Sequence, residues 1–146
     1  MQQEEKRTLA FGKVSSCVIL VHSEAAPSDK DWNLYLDFLK LQKQKTSDIK
    51  ILVQGKGGPP PSAGQRARLV AVVGKGGVPT AVMTEDPFAR GVVTALNWVF
   101  GQKLAAFPSA RMDDALNYLG VSTSVAPEIR KIISNLSAEI ALNKPL

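Results

Sequence analysis

Residues 16–41 read SCVILVHSEAAPSDKDWNLYLDFLKL, and two periodicities in this stretch decide the fold. CVILV at 17–21 is an unbroken apolar run rich in β-branched residues, the composition of a strand covered on both faces. Pro27 and Ser28 then announce a helix: Ser28 suits an N-cap, and Asp31, three residues on, stands as a short substitute for the glutamate of a capping box. Trp32, Tyr35, Leu36 and Leu39 recur at i, i+3, i+4 and i+7, which makes them the core face of that helix. Leu34, Phe38 and Leu41 widen the stripe, and the helix is expected to fade at Thr46-Ser47-Asp48.

The same pairing of apolar run and helical pattern returns three times, at IKILV (49–53), PTAVM (79–83) and KLAAF (103–107). After the second run, Gly55-Lys56-Gly57-Gly58-Pro59-Pro60-Pro61 leads to Ser62, which can cap a helix whose Ala67, Val70 and Ala71 are expected to face the sheet, with Gly74 as its C-cap. After the third, Asp86 as N-cap and Pro87 at the first helical position make a start signal. Phe88, Val92, Ala95, Leu96 and Val99 form the next stripe, closed by Gly101. A helix over 109–119 follows, with Met112, Ala115, Leu116 and Leu119 inward, and a last one over 126–141 carries Ile129, Ile132, Ile133, Leu136 and Ile140 at helical spacing. The expected fold is α/β: a single small sheet of about four mainly parallel strands covered by helices, with an extra C-terminal amphipathic helix. Residues 1–15 are expected to form an N-terminal arm or edge strand, and 16–146 a single domain.

A parallel sheet predicts where a site belongs, because the loops leaving its strand carboxyl ends gather along one edge. Here those loops are 22–28, 55–62, 84–86 and 108–109. They hold the candidate binding or switch residues His22, Gly57, Gly58, Ser62, Thr84, Glu85 and Asp86, with Arg90 just beyond.

Composition narrows the function classes. The chain has 146 residues, 45% hydrophobic and 21% charged, an ordinary globular balance. No apolar run approaches the ~20 residues of a membrane helix, and the polar N-terminus is no secretory signal. Cys17 is the single cysteine; at the start of an apolar strand it reads as a buried, inert thiol in a reducing cytoplasm. With one cysteine and one histidine, no metal site is expected. The net charge of +5 comes from lysines and arginines dispersed over a helix end, loops and another helix, without interleaved aromatics, so nucleic acid is not the expected partner.

Gly-Lys-Gly-Gly occurs twice, at 55–58 and 74–77. A nucleotide P-loop needs Lys followed by Ser or Thr and then a helix; here glycine follows each lysine, so both fail as nucleotide loops. His22-Ser23-Glu24 holds a base, a hydroxyl and a carboxylate, yet neighbours in extended chain point to opposite faces, and no Gly-x-Ser-x-Gly elbow exposes a nucleophile. No catalytic residue and no cofactor are expected. Glu85 and Asp86 could pair as carboxylates, but capping already accounts for Asp86. Ser62, a hydroxyl at a helix N-terminus behind a Gly/Pro loop, is placed to carry a phosphate whose charge the helix dipole would favour.

Over residues 16–120 the order of elements and the placement of loops resemble the STAS family, the sulfate-transporter and anti-sigma-antagonist domains, in its STAS/Sec14-like branch. The resemblance implies a small sheet with helices, action through protein partners, and a Ser or Thr at the start of the helix after a central strand that is phosphorylated in antagonist members. Ser62 sits in the comparable place, although Pro61 rather than an aspartate precedes it. The expectation is therefore a non-enzymatic cytoplasmic regulatory or adaptor domain of bacterial-type signalling, acting through protein–protein contacts and switched at Ser62. The alternative is a small-molecule or lipid-binding domain using His22, Ser62 and Thr84; the third reading is a hydrolase using His22. A concave pocket with convergent polar groups would favour a binder or an enzyme, a flat apolar patch an adaptor. Ile129, Ile133 and Leu136 are expected to form a homodimer interface if the last helix is not consumed internally.

Overall fold

In the computed structural model, residues 6–74, 77–87, 89–91, 93 and 103–143 are described. Five strands form one sheet in the order β1 (Leu9–Val14), β2 (Cys17–His22), β3 (Lys50–Gln54), β4 (Thr80–Met83) and β5 (Leu104–Phe107). β2 to β5 run parallel and β1 is antiparallel to β2. The helices are α1 (Asp29–Lys45), α2 (Ala63–Val73), α3 (Met112–Leu119) and α4 (Ala126–Ala141).

The strand beyond the expected four parallel ones is the N-terminal β1. Its apolar pattern is interrupted by Gly12 and Lys13, yet Leu9 and Ala10 are fully buried because both faces of β1 are covered. Leu9 joins the cluster under α1, while Ala10 and Val14 join the one under α4. Gly12 lies on the α4 side, where a Cβ would stand 3.1 Å from the Ile132 Cδ1; its missing side chain lets the helix approach the strand. Ser15 turns the β1–β2 hairpin at φ 53°.

Alternation along β2 divides the core in two. Cys17, Ile19 and Val21 face α3 and α4, together with Leu52, Ala81, Met83, Leu116 and Ile129. Val18 and Leu20 face α1 and α2, together with Ile51, Trp32, Tyr35 and Leu39. The stripe expected on α1 is buried as read, and burial pushes the Cys17 thiol up to about 11.

Several expectations are corrected. Asp31 does not reach back to complete a capping box: its carboxylate accepts from the backbone N–H and hydroxyl of Thr8, at 2.7 and 2.8 Å, and so ties β1 to α1. Ser28 caps α1 alone, its hydroxyl accepting from the Asp31 N–H. α2 is rotated from its expected phase: Leu69, Val72 and Val73 pack inward, whereas Ala67, Val70 and Ala71 are exposed. The cause is the Trp32 indole, which donates to the Gln65 carbonyl at 2.9 Å and draws that side of α2 toward α1. Ile129, Ile133 and Leu136 were expected to offer an interface; Ile129 is 0% and Leu136 5% exposed, and Ile133 packs on the same cluster. The sheet consumes that stripe, because β1 and β2 present Ala10, Gly12 and Ile19 to it. Of the helix expected after Asp86, residues 87, 89–91 and 93 are helical; Phe88, Val92, Ala95, Leu96, Val99 and Gly101 lie outside the described residues, as do 75–76 of the second Gly-Lys-Gly-Gly.

Candidate functional site

On the α1/α2 side, the sheet floor can be read in tiers. Register pairs Leu20 with Val53 and Val53 with Val82, and pairs Ile51 with Thr80 and Thr80 with Leu104. One tier further toward the strand carboxyl ends come His22, Gly55 and Thr84. α1 and α2 cover the β2 side of this floor. Toward β4 and β5 they leave Val53, Val82 and Leu104 only half-buried.

The result is a cavity of about 760 Å³ over these tiers. Trp32 and Tyr35 bound it on the α1 side, Ala67, Leu69 and Val70 on the α2 side, and Ala89 and Val93 opposite. The loop 55–61 forms part of its rim. Gly57, at φ 78°, and Gly58 make that loop possible; a Cβ on Gly58 would lie 2.4 Å from the Glu24 carbonyl oxygen, so only glycine lets the two rim loops touch.

His22, Ser23, Thr84 and Asp86 supply polar groups at the strand carboxyl end, and Thr80 and Lys103 at the amino end of β4 and β5. Thr84 is 2% exposed, and its hydroxyl accepts from the Asp86 N–H at 3.2 Å. Asp86 borders the cavity, and the backbone N–H of Arg90 donates to its carbonyl. His22 is half-buried, and desolvation lowers its pKa to about 4, so the ring is neutral at neutral pH. Lys56, Arg66 and Lys103 also border the cavity, and the Arg66 guanidinium donates to the Pro61 carbonyl at 2.7 Å.

The expected site residues therefore separate into two groups. His22, Gly57, Gly58, Thr84 and Asp86 meet at the cavity. Ser62 does not border it: the residue is exposed and forms a complete capping box, its hydroxyl accepting from the Gln65 N–H at 3.1 Å while the Gln65 side chain accepts from the Ser62 N–H at 2.9 Å. The Gln65 amide also donates to the Pro27 carbonyl, which joins the Ser62 helix end to the loop before α1. Glu85 lies outside the cavity too. Its carboxylate accepts from the Ser109 N–H, the main reason its pKa is lowered, with Arg90 contributing. Ser23 and Glu24 are not brought onto His22: the Ser23 hydroxyl accepts instead from the Ala25 N–H. The sequence reads Tyr35, Val53 and Val82 only as parts of a core face or an apolar strand, and does not single out Leu69. Alternation already put Leu20 with His22, Val53 with Gly55 and Val82 with Thr84 on one face, which was the available signal.

Among the described residues no helix is long and apolar enough to cross a membrane. No protein-family model and no curated protein matches the chain. Among solved structures it is similar to an uncharacterized protein of the DUF3478 family, with a SpoIIAA-like fold, from Shewanella loihica PV-4. That similarity has a TM-score of 0.63 at 17% identity and covers 82% of this chain and 99% of that one. The fold is SpoIIAA-like, hence STAS-like, in agreement with the family resemblance of the sequence.

Proposed function

We propose that this chain is a non-enzymatic regulatory domain of STAS-like type that works by binding a small amphipathic, lipid-like molecule in the cavity beneath α2. What supports this reading is one observation: about 760 Å³ of space with an apolar floor and a polar rim at the strand carboxyl ends. That is the size and character of a small-molecule site, and it is concave where a pure adaptor needs a flat patch. Each methylene buried there contributes about 0.8 kcal/mol, so ten supply about 8 kcal/mol, the gross equivalent of a micromolar dissociation constant. The test is displacement of the fluorescent probe 1-aminoanthracene by decan-1-ol. Wild type should bind the probe and release it, while Val82→Phe, which fills the floor, should lose probe binding and keep its fold by circular dichroism. A wild-type protein that takes up no probe contradicts the reading.

A second reading has its own support. Ser62 is exposed at the same edge and capped onto a helix N-terminus, where a phosphate is electrostatically welcome. In this reading the edge meets a protein partner and a phosphate on Ser62 governs the contact. Ser62→Glu should then alter which proteins are recovered in a pull-down; unchanged partners remove Ser62 from the account.

A further inference from the structure

We propose that the cavity selects molecules carrying an uncharged hydrogen-bonding group on a long apolar body, and that Tyr35 and His22 make the selection. This rests on the binding reading above and adds to it the chemistry of the head group. Among the described residues, every fully enclosed side-chain nitrogen or oxygen has a hydrogen-bond partner. The Tyr35 hydroxyl and the His22 imidazole have no hydrogen-bond partner among those residues, and both side chains border the cavity. Tyr35 is nevertheless only 1% exposed. A hydroxyl without a partner that is not fully enclosed, on a residue that lines the cavity, is a group for an occupant to satisfy.

The presentation is rigid. The Tyr35 ring is held 5.5 Å from Trp32 and 5.8 Å from Phe11, centroid to centroid, and His22 follows Val21, which is fully buried. Little side-chain freedom remains to be lost when a ligand engages Tyr35.

The head group they favour carries no charge. Desolvation raises the Tyr35 pKa and lowers that of His22, so at neutral pH the pair offers a phenolic donor and a neutral imidazole. Neither group carries a charge to offset the hydration that a carboxylate placed against it would give up. Of the cations that border the cavity, Arg66 is engaged by the Pro61 carbonyl, Lys56 stands on the rim loop and Lys103 just before β5. The neighbouring floor, Leu20, Val53 and Val82, is apolar and suits the body of the ligand.

The experiment compares decan-1-ol, decanoate and 1-chlorodecane as displacers of 1-aminoanthracene from wild type, Tyr35→Phe and His22→Leu. In wild type, decan-1-ol should bind about 3- to 10-fold more tightly than 1-chlorodecane, the range of a single neutral hydrogen bond. Tyr35→Phe keeps the ring contacts and should remove most of that advantage without changing 1-chlorodecane binding; His22→Leu should do the same in part. The inference is overturned if the alcohol-to-chloride ratio survives in Tyr35→Phe, or if decanoate outcompetes decan-1-ol in wild type. Should none of the three compounds displace the probe from wild type, the binding reading itself fails and takes this one with it.

Discussion

His22 shows at the scale of one residue how a polar group at the cavity costs the fold stability. The ring is half-buried at the end of β2, and desolvation lowers its pKa from 6.5 to about 4. Between these two values the unfolded chain takes up a proton that the folded one refuses. Stability contributed by the neutral ring is complete above pH 6.5 and is lost as the pH falls toward 4, by up to about 3 kcal/mol at 1.36 kcal/mol per unit. Urea unfolding of wild type and His22→Leu from pH 7 to 4.5 measures this. The wild type should lose stability to acid more steeply than the variant; parallel profiles would place His22 in water. The identity of this residue as a rim group was legible from its position one step beyond an apolar strand. Its lack of a hydrogen-bond partner among the described residues was not, since that depends on Ser23 and Glu24 turning elsewhere. Ser62 is the opposite case: Ser62 and Gln65 stand at N-cap and N3, so the cap was legible, whereas the link from Gln65 to Pro27 joins residues 38 apart in the chain.

At the scale of elements, strands and helices follow their periodicities, and the departures have local causes. β1 was half-legible because Gly12 and Lys13 break its alternation. Gly12 faces the helix opposite, and a Cβ there would stand a tight 3.1 Å from the Ile132 Cδ1. The phase of α2 was misread because its apolar residues fit two faces, and the Trp32–Gln65 hydrogen bond decides between them. That rotation keeps Ala67 and Val70 off the sheet and places them on the cavity wall. The stripe of α4 was legible as apolar, but its destination was not; with Ile129 fully buried, the helix closes the sheet. Ile129→Ala should therefore cost about 2–5 kcal/mol of stability through transfer and cavity terms, read by urea denaturation. A variant as stable as wild type but changed in oligomeric state by analytical ultracentrifugation would restore the interface reading.

For the whole molecule, the two faces of the sheet are unequal. The face under α3 and α4 is filled from Ala10 to Met83, while the other is filled under α1 and, among the described residues, holds the cavity toward β4 and β5. The architecture was legible in the order of runs and stripes, and the SpoIIAA-like neighbour has the same one. The cavity was not legible, because a hollow is written in the distances between elements and not in the residues that face it: Val53 and Val82 look like core in any strand. This asymmetry gives the central claim a direct test. Titration of methyl-labelled protein with decan-1-ol, followed by NMR, should move the signals of Leu20, Val53, Val82 and Leu104 and leave Ile19, Leu52 and Ile129 in place. Shifts confined to the α3/α4 face, or none at saturating ligand, would contradict it.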